Sequence, residues 1–200
     1  MSVAGVILAA GRSTRFHPSS EQPTKLVALL RDEPIVRRVA NIALEAGVHP
    51  LIAVTGHARE AVESALAGLE ILFVHNQQYY AGLSTSLKAS LAAVPCAASG
   101  ALVMLGDMPF IKPETIRKLI AALEARTGNP MAIVPSFNDA WGNPVLLSSA
   151  LYDQVMSLQG DEGARALLLK SRDSVIEVPV DDDGVLADID QQEQLQRNAD

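Results

Sequence analysis

The chain has one cysteine and no long apolar run, and each of these absences excludes a class of protein. Cys96 alone can form neither an internal disulfide bond nor a zinc cluster of cysteines. We expect its thiol to be partly buried near a helix end. No segment reaches the roughly 18 apolar residues that span a bilayer, and no basic region precedes the first apolar stretch. We therefore expect a cytoplasmic protein with no membrane partner.

Basic charge is also scarce, which limits the partners of the chain. The 200 residues include 16 Lys and Arg against 23 Asp and Glu, a formal net charge of −7. A general nucleic-acid binder needs a basic surface, so we expect no nucleic-acid partner. The hydrophobic fraction of 48% is typical of a globular protein with a substantial core. This length predicts a single domain over residues 1–200.

Apolar runs alternate with amphipathic stretches along the chain. The runs predict strands over 3–8, 51–55, 70–74, 101–105, 131–134, 145–147 and 175–178. The amphipathic stretches predict helices over 35–46, 58–66, 84–93, 113–125, 148–156 and 163–169, with a polar helix after Asp190. This alternation indicates an α/β fold, a three-layer domain with a mostly parallel sheet. Because ligands bind at the carboxyl ends of such strands, loops 11–25 and 106–109 should share one edge.

The first apolar run leads into small residues, a glycine and three cations. Residues 8–11 read Leu-Ala-Ala-Gly, and Arg12, Arg15 and Lys25 follow. Small residues let backbone N–H groups approach a ligand, and cations attract a polyanion. The stretch is neither a Walker loop nor a Gly-x-Gly-x-x-Gly turn. It predicts a site for a nucleoside triphosphate, the alternative being a polar loop with solvated cations.

A carboxylate follows the fourth predicted strand, in the segment Leu-Gly-Asp-Met-Pro over 105–109. At the carboxyl end of a strand, Asp107 could hold Mg²⁺, which proteins bind through a few carboxylates together with substrate phosphates. The alternative is a turn or helix-cap aspartate, which is common before proline.

Two other segments carry weaker signals. Trp141, next to Gly142, fits either a core position or a stacking surface for a flat heterocycle. The run Asp-Asp-Asp-Gly over 181–184 lacks the spaced ligands of a calcium loop and predicts a hairpin turn.

Together these motifs resemble the MobA-like nucleotidyltransferases, and within that group the molybdenum cofactor cytidylyltransferases. Residues 76–87 are similar to the family's Asn…Gly-x-Ser-x-Ser segment, and 142–146 to its Gly-His-Pro-Val motif. Residues 160–165 resemble Gly-Asp-x-Gly-Ala-Arg, and 188–190 the terminal Asp-Ile-Asp. The segments keep the family's order from end to end of the chain. The resemblance implies the nucleotide-diphospho-sugar transferase type of fold.

The resemblance also implies a role for individual residues. Nucleotide binding falls to Leu8, Ala9, Ala10, Gly11, Arg12, Ser13, Asn76, Gly82 and Ser86. Catalysis falls to Arg15, Lys25 and Asp107, and Mg²⁺ binding to Asp107 and Asp190, with Asp188 in reserve. Acceptor binding falls to Gly142, Asn143, Asp161 and Arg165.

The activity implied is transfer of CMP from CTP to molybdopterin with release of pyrophosphate, and a molybdenum hydroxylase is the implied partner. The double alanine before Gly11 resembles the cytidylyl branch of the family. Two departures from the family pattern bear on this. Residues 17–24 lengthen the path to Lys25, and Asn143, which cannot titrate near neutrality, replaces a histidine.

Four alternatives stay open. They are another phosphate-bearing acceptor, GTP as donor, an NAD(P)H-dependent enzyme similar to nicotine blue oxidoreductase, and a non-catalytic carrier of the cofactor.

Overall fold

The computed structural model describes residues 2–14, 16 and 23–190. Its strands are β1 (Val3–Ala9), β2 (Leu29–Leu30), β3 (Glu33–Pro34), β4 (Leu51–Thr55), β5 (Ile71–His75), β6 (Gly100–Leu105), β7 (Ala132–Phe137), β8 (Ala140–Trp141), β9 (Val145–Ser148) and β10 (Val175–Pro179). The main sheet has the order β10-β7-β9-β6-β1-β4-β5, with β8 paired to β7. The short β2 and β3 form a separate antiparallel pair.

Most neighbours in the main sheet are parallel, as predicted. β1 pairs in parallel with β4 and β6, β4 with β5, and β10 with β7. β9 runs antiparallel to both β6 and β7, and β8 is antiparallel to β7. The central strands are buried on both faces, which explains why their sequences are continuous apolar runs rather than alternating ones.

The helices form two layers, one on each face of the sheet. They are α1 (Ile35–Glu45), α2 (Arg59–Ala65), α3 (Leu83–Ala93), α4 (Pro113–Glu124), α5 (Tyr152–Met156) and α6 (Ala164–Lys170). Adjacent strand residues point to opposite faces, so Ile7 packs in the cluster formed by α1, α2 and α4. Val6 packs in the cluster formed by α3, α5 and α6. The predicted three-layer α/β class is therefore confirmed.

Within the described ranges, no helix is both long and apolar enough to cross a membrane.

The segment predicted as one helix over 148–156 is helical over 149–156, as a 3₁₀ turn, Ser149–Leu151, followed by α5. Two other local predictions are wrong. Cys96 is exposed rather than partly buried. The predicted hairpin at 181–184 is instead the start of a 3₁₀ helix, Asp183–Leu186.

The side chain of Asp182 explains that last difference. Its buried carboxylate accepts hydrogen bonds from the N–H groups of Lys112 and Gly184 and from the hydroxyl of Thr115. It therefore caps the 3₁₀ helix and ties this segment to the start of α4. The polar helix predicted after Asp190 lies outside the described residues.

The loops after β1 and β6 come together at the carboxyl edge of the sheet. The N–H of Gly106 donates to the carbonyl of Leu8 at 3.1 Å. A Cβ at position 106 would lie 3.0 Å from that carbonyl oxygen, so glycine permits the close approach. This contact brings the segment that carries Asp107 beside residues 8–11.

Candidate active site

A lysine lies between two carboxylates at the carboxyl edge of the sheet. The Nζ atom of Lys25 is 2.8 Å from Oδ2 of Asp107 and 2.9 Å from Oδ1 of Asp190. Lys25 is 9% exposed, and it opens a 3₁₀ helix, Lys25–Val27. The hydroxyl of Thr24 caps that helix by accepting the N–H of Leu26. The lysine is therefore held by its backbone and by both carboxylates.

The neighbouring carboxylates control the charge of Lys25. Burial acts to lower the pKa of this ammonium group. The charges and hydrogen bonds of Asp107 and Asp190 together outweigh burial, and the pKa of Lys25 is raised above its ordinary value. Lys25 is consequently a fixed cation throughout the neutral pH range.

The same edge carries a cluster of three carboxylates. Oxygen atoms of Asp107, Asp188 and Asp190 lie within 4.8 Å of one another. The backbone N–H of Ile189 donates to the carbonyl of Asp107 at 3.0 Å, which fixes residues 188–190 beside the loop after β6. Oxygen-only donor sets suit hard divalent cations such as Mg²⁺ and Mn²⁺. The sequence-based prediction named Asp188 only as a reserve metal ligand, but in the structure it belongs to the cluster together with Asp107 and Asp190.

Lys25, Asp107 and Asp190 border a pocket of about 210 Å³, which we call the charged pocket. It is lined by Leu8, Gly11, Ser13, Thr14, Phe16, Lys25, Leu26, Asp107 and Asp190. Six of these residues were predicted for the site, whereas Thr14, Phe16 and Leu26 were not. Among the residues that the structure describes, a Cβ built on Gly11 would meet nothing within 4 Å. The turn after β1 therefore leaves open space beside the lysine.

The other residues predicted for this end of β1 lie differently. Ala9 and Ala10 are buried in the core and line neither this pocket nor the one described next. The carbonyl of Ala10 accepts the N–H of His57. Arg12 is exposed, and Arg15 lies outside the described residues. Their roles in nucleotide binding and catalysis stay predictions.

Asn76 is surrounded by its own hydrogen-bond partners. Its amide nitrogen donates to the hydroxyl oxygens of Thr85 at 2.9 Å and Ser86 at 3.0 Å. Its amide oxygen accepts the N–H of Gln78. Asn76 thus links the loop after β5 to the first turn of α3. The predicted contacts of Asn76, Gly82 and Ser86 with the nucleotide stay predictions.

A second pocket of about 200 Å³, which we call the apolar pocket, shares Leu8 with the first. It is lined by Leu8, Leu83, Leu87, Val103, Leu105, Val134, Trp141, Gly142, Asn143, Val145, Gly163, Ala164, Arg165 and Leu168. Three of the residues predicted to bind the acceptor, Gly142, Asn143 and Arg165, are among them. The aliphatic lining was missed because such residues are indistinguishable from core in sequence.

Asp161, the fourth residue predicted to bind the acceptor, contacts the start of α3 instead. Its carboxylate accepts the N–H of Leu83 at 3.3 Å, and the carbonyl of Gly160 accepts the N–H of Ser84 at 3.0 Å. Gly82 has a φ of 107°, and a Cβ there would lie 2.2 Å from the carbonyl carbon of Gly160. The 160–163 loop is thereby packed against α3, and its role in acceptor binding stays a prediction.

Trp141 occupies a core position and also lines a pocket. It is 6% exposed and belongs to the core, yet it also lines the apolar pocket. Nη1 of Arg165 donates to the Trp141 carbonyl at 3.1 Å. The guanidinium carbon of Arg172 lies 5.1 Å from the centre of the indole ring.

Glu177 completes this arrangement. Nε and Nη2 of Arg172 both donate to Oε1 of Glu177, at 3.2 and 2.9 Å. These two hydrogen bonds from Arg172 hold the pKa of Glu177 below its ordinary value. Across the described part of the chain, the indole N–H has no hydrogen-bond partner at normal distance.

Comparison with known proteins gives a consistent family. Residues 5–175 match the sequence profile of the MobA-like NTP transferase domain. The crystal structure of Rv0371c from Mycobacterium tuberculosis superposes with a TM-score of 0.84 at 30% identity, over 100% of this chain and 98% of that one. A manganese complex of the same protein superposes with a TM-score of 0.78.

Two further relatives are more distant or larger. A nucleotidyl transferase from Methanothermobacter thermautotrophicus superposes with a TM-score of 0.82 over 98% of this chain and 95% of that one, but at 24% identity the likeness concerns the fold alone. The bifunctional protein GlmU of Syntrophotalea carbinolica is 30% identical over 162 residues, which are 81% of this chain and 34% of GlmU. The chain spans about a quarter to a third of the length of the GlmU proteins that it matches.

Proposed function

The chain belongs to the family of MobA-like NTP transferases, and from that premise we propose that it transfers CMP from CTP to a molybdopterin-type acceptor with release of pyrophosphate. The family supports nucleotidyltransferase activity as such. One observation carries the proposal furthest. Lys25, Asp107 and Asp190 are in contact beside the turn after β1, where the charged and apolar pockets meet at Leu8.

The charged pocket suits the triphosphate of the donor. Gly11, Ser13 and Thr14 lie in its lining, and Lys25 supplies a fixed positive charge. Hydroxyl and ammonium groups donate hydrogen bonds, and phosphate oxygens accept them. The double alanine that precedes Gly11 supports cytidine as the base.

The acidic cluster fits a divalent cation, which we propose to be Mg²⁺. Asp107, Asp188 and Asp190 would hold it, since their oxygen atoms are close enough to share one ion. The manganese complex of Rv0371c supports a divalent metal in this family. When bound, such a cation would neutralise negative charge at the reacting phosphate.

The reaction needs no covalent intermediate on the protein. An oxygen of the acceptor's phosphate forms a bond to the α-phosphorus of CTP. The bond from that phosphorus to the bridging oxygen breaks, and pyrophosphate leaves with the electron pair. The protein's contribution is to align the two substrates and to stabilise negative charge on the leaving group. Lys25, which lines the charged pocket, is the cation that would stabilise the leaving group.

The apolar pocket suits the body of the acceptor. Aliphatic side chains and Trp141 would pack against a flat ring system. Arg165 carries the one charged side chain among the residues named in its lining, and it would attract an anionic group of the acceptor. This division supports a substrate that is ring-shaped at one end and phosphorylated at the other.

Pyrophosphate release tests the proposal. The protein is incubated anaerobically with Mg²⁺ and each of the four ribonucleoside triphosphates, with and without molybdopterin. We expect release with CTP that depends on molybdopterin. Release with GTP would assign the chain to the guanylyl branch. Molybdopterin binding without pyrophosphate would favour a carrier, and NAD(P)H oxidation without pyrophosphate an oxidoreductase.

A further inference from the structure

Trp141 forms part of the wall of the apolar pocket. Trp141 lies on the two-residue strand β8, which pairs with β7 opposite Ser136. The pairing and the hydrogen bond from the N–H of Gly142 to the carbonyl of Pro135 hold the backbone, whereas the orientation of the indole depends on what packs around it. The segment that carries α6 supplies two contacts to this residue: Arg165 on its carbonyl and Arg172 on its ring.

Arg172 is itself held in place. It begins a 3₁₀ turn, Arg172–Ser174, between α6 and β10. Two of its nitrogen atoms donate to one oxygen of Glu177 on β10, which limits the orientations that the guanidinium can adopt. The planar cation then lies over the indole, an arrangement favoured by the negative face of the ring. Neither Arg172 nor Glu177 lines the apolar pocket.

We propose that Arg172 and Glu177 are positioning residues for the acceptor, because they hold the indole of Trp141 in the wall of the apolar pocket. This inference rests on the proposed function, in which that pocket binds the acceptor. The contact also links the two sides of the pocket, since α6 provides Ala164, Arg165 and Leu168 while β8 provides Trp141. Loss of the contact frees the ring to turn outward and admits water to the pocket.

The chain offers a direct readout, because Trp141 is its one tryptophan. The variants are R172M, which removes the cation, R172K, which restores a charge, and E177Q, which weakens the clamp. The matched control is R117M, since Arg117 forms a comparable exposed ion pair with Glu114 on α4. Melting temperatures establish that every variant is folded. Tryptophan emission and its quenching by acrylamide are then measured on the free proteins.

We expect the effects of these substitutions to be confined to Trp141 and to the binding of the acceptor. R172M shifts the emission to longer wavelength and increases quenching, R172K and E177Q do so less, and R117M leaves both unchanged. The KM for molybdopterin rises about threefold to tenfold in R172M, the size expected for loss of one cation–π contact. The KM for CTP and the kcat at saturating molybdopterin stay at the wild-type values.

Other outcomes overturn the inference. Unchanged emission in R172M shows that Arg172 does not hold the indole. A changed emission with an unchanged KM for molybdopterin shows that the indole does not serve the acceptor. An equal rise in both KM values indicates a general structural effect.

Titration of the wild-type emission with molybdopterin separates this inference from the proposed function. A response in R172M that is weaker than in the wild type, in a protein that releases no pyrophosphate, would refute the transferase and leave the positioning role standing. No response from the wild type and no pyrophosphate would refute both.

Discussion

The charged and apolar pockets are neighbours of similar size, about 210 and 200 Å³, with opposite chemistry. The charged pocket collects polar groups from distant parts of the chain, such as Lys25 and Asp190. The apolar pocket is lined mostly by side chains that extend from the core of one sheet face. In the proposed function, charged groups would hold the triphosphate of CTP, and the shape of the apolar pocket would select the acceptor. The reacting groups of the two substrates would then meet near Leu8, which lines both pockets.

The largest effect should come from removing a carboxylate of the acidic cluster. Asp107→Asn keeps the size of the side chain but removes the charge that faces Lys25 and the other carboxylates. We expect kcat/KM to fall about a hundredfold to a thousandfold, with little change in melting temperature. The measurement is pyrophosphate release from CTP. Asp153→Asn, an exposed aspartate on α5, is the control, and a variant within a few-fold of wild type would contradict the role of Asp107.

Removal of the Lys25 ammonium group should impair the charged pocket and leave the apolar pocket unchanged. Lys25→Met leaves Asp107 and Asp190 facing each other without an ammonium group, and their side chains are only 20% and 28% exposed. We expect turnover to fall about a hundredfold and the free energy of unfolding to drop by about 1–3 kcal/mol, reduced by partial solvent screening.

The same variant has a second signature. Added Mg²⁺ should raise the melting temperature of K25M more than that of the wild type, because the cluster has lost its internal cation. Lys118→Met, at an exposed position on α4, should behave as wild type. An equal response of K25M and wild type to Mg²⁺ would contradict the placement of the metal beside Lys25.

A structural carboxylate should behave differently from the carboxylates of the cluster. Asp182 is 1% exposed and accepts three hydrogen bonds from protein groups. Asp182→Asn places an amide donor against at least one of those donors, and we expect it to lower the free energy of unfolding by about 1–3 kcal/mol. Urea unfolding measures the loss, with the exposed Asp183→Asn as control. Loss of turnover in D182N without loss of stability would contradict this account, in which Asp182 stabilises the loop and only the carboxylates of the acidic cluster bind the metal.

The smallest effect should arise on the apolar side. Asn143→His restores the residue type usual in the family and introduces a group that titrates near pH 6.5. We expect the KM for molybdopterin to change by less than about tenfold and to become pH-dependent between about pH 6 and 7, while the KM for CTP stays constant. Steady-state kinetics across that range decide the matter. A shift confined to CTP would place Asn143 on the donor side.

Local sequence patterns predicted seven of the eight strands described in the main sheet, and they missed the two-residue strand β8. The strand predicted over 51–55 has the observed bounds of β4, because a fully buried apolar run ends at Pro50 and Gly56. The direction of β9 could not be predicted, since the residues Val145–Ser148 would suit either orientation. Their pairing with β6 and β7 decides it.

The site depended more on long-range contacts. Lys25 and Asp190 are 165 positions apart, and the resemblance to a family, rather than any spacing, brought both into the prediction. Asp182 was wrongly placed in a hairpin because its partners Lys112 and Thr115 lie some 70 residues earlier. Val134 could not be recognised as a pocket residue, since a pocket wall and a core position have the same apolar pattern.

The most direct test of the proposed active site is to follow a label from the α-phosphate of CTP to the acceptor. With CTP radiolabelled at that phosphate, Mg²⁺ and molybdopterin, we predict that the label moves to the acceptor, with one pyrophosphate released per label, and that D107N transfers it about a hundredfold to a thousandfold more slowly. Label found in free CMP, label attached covalently to the protein, or full transfer by D107N would contradict the proposed site.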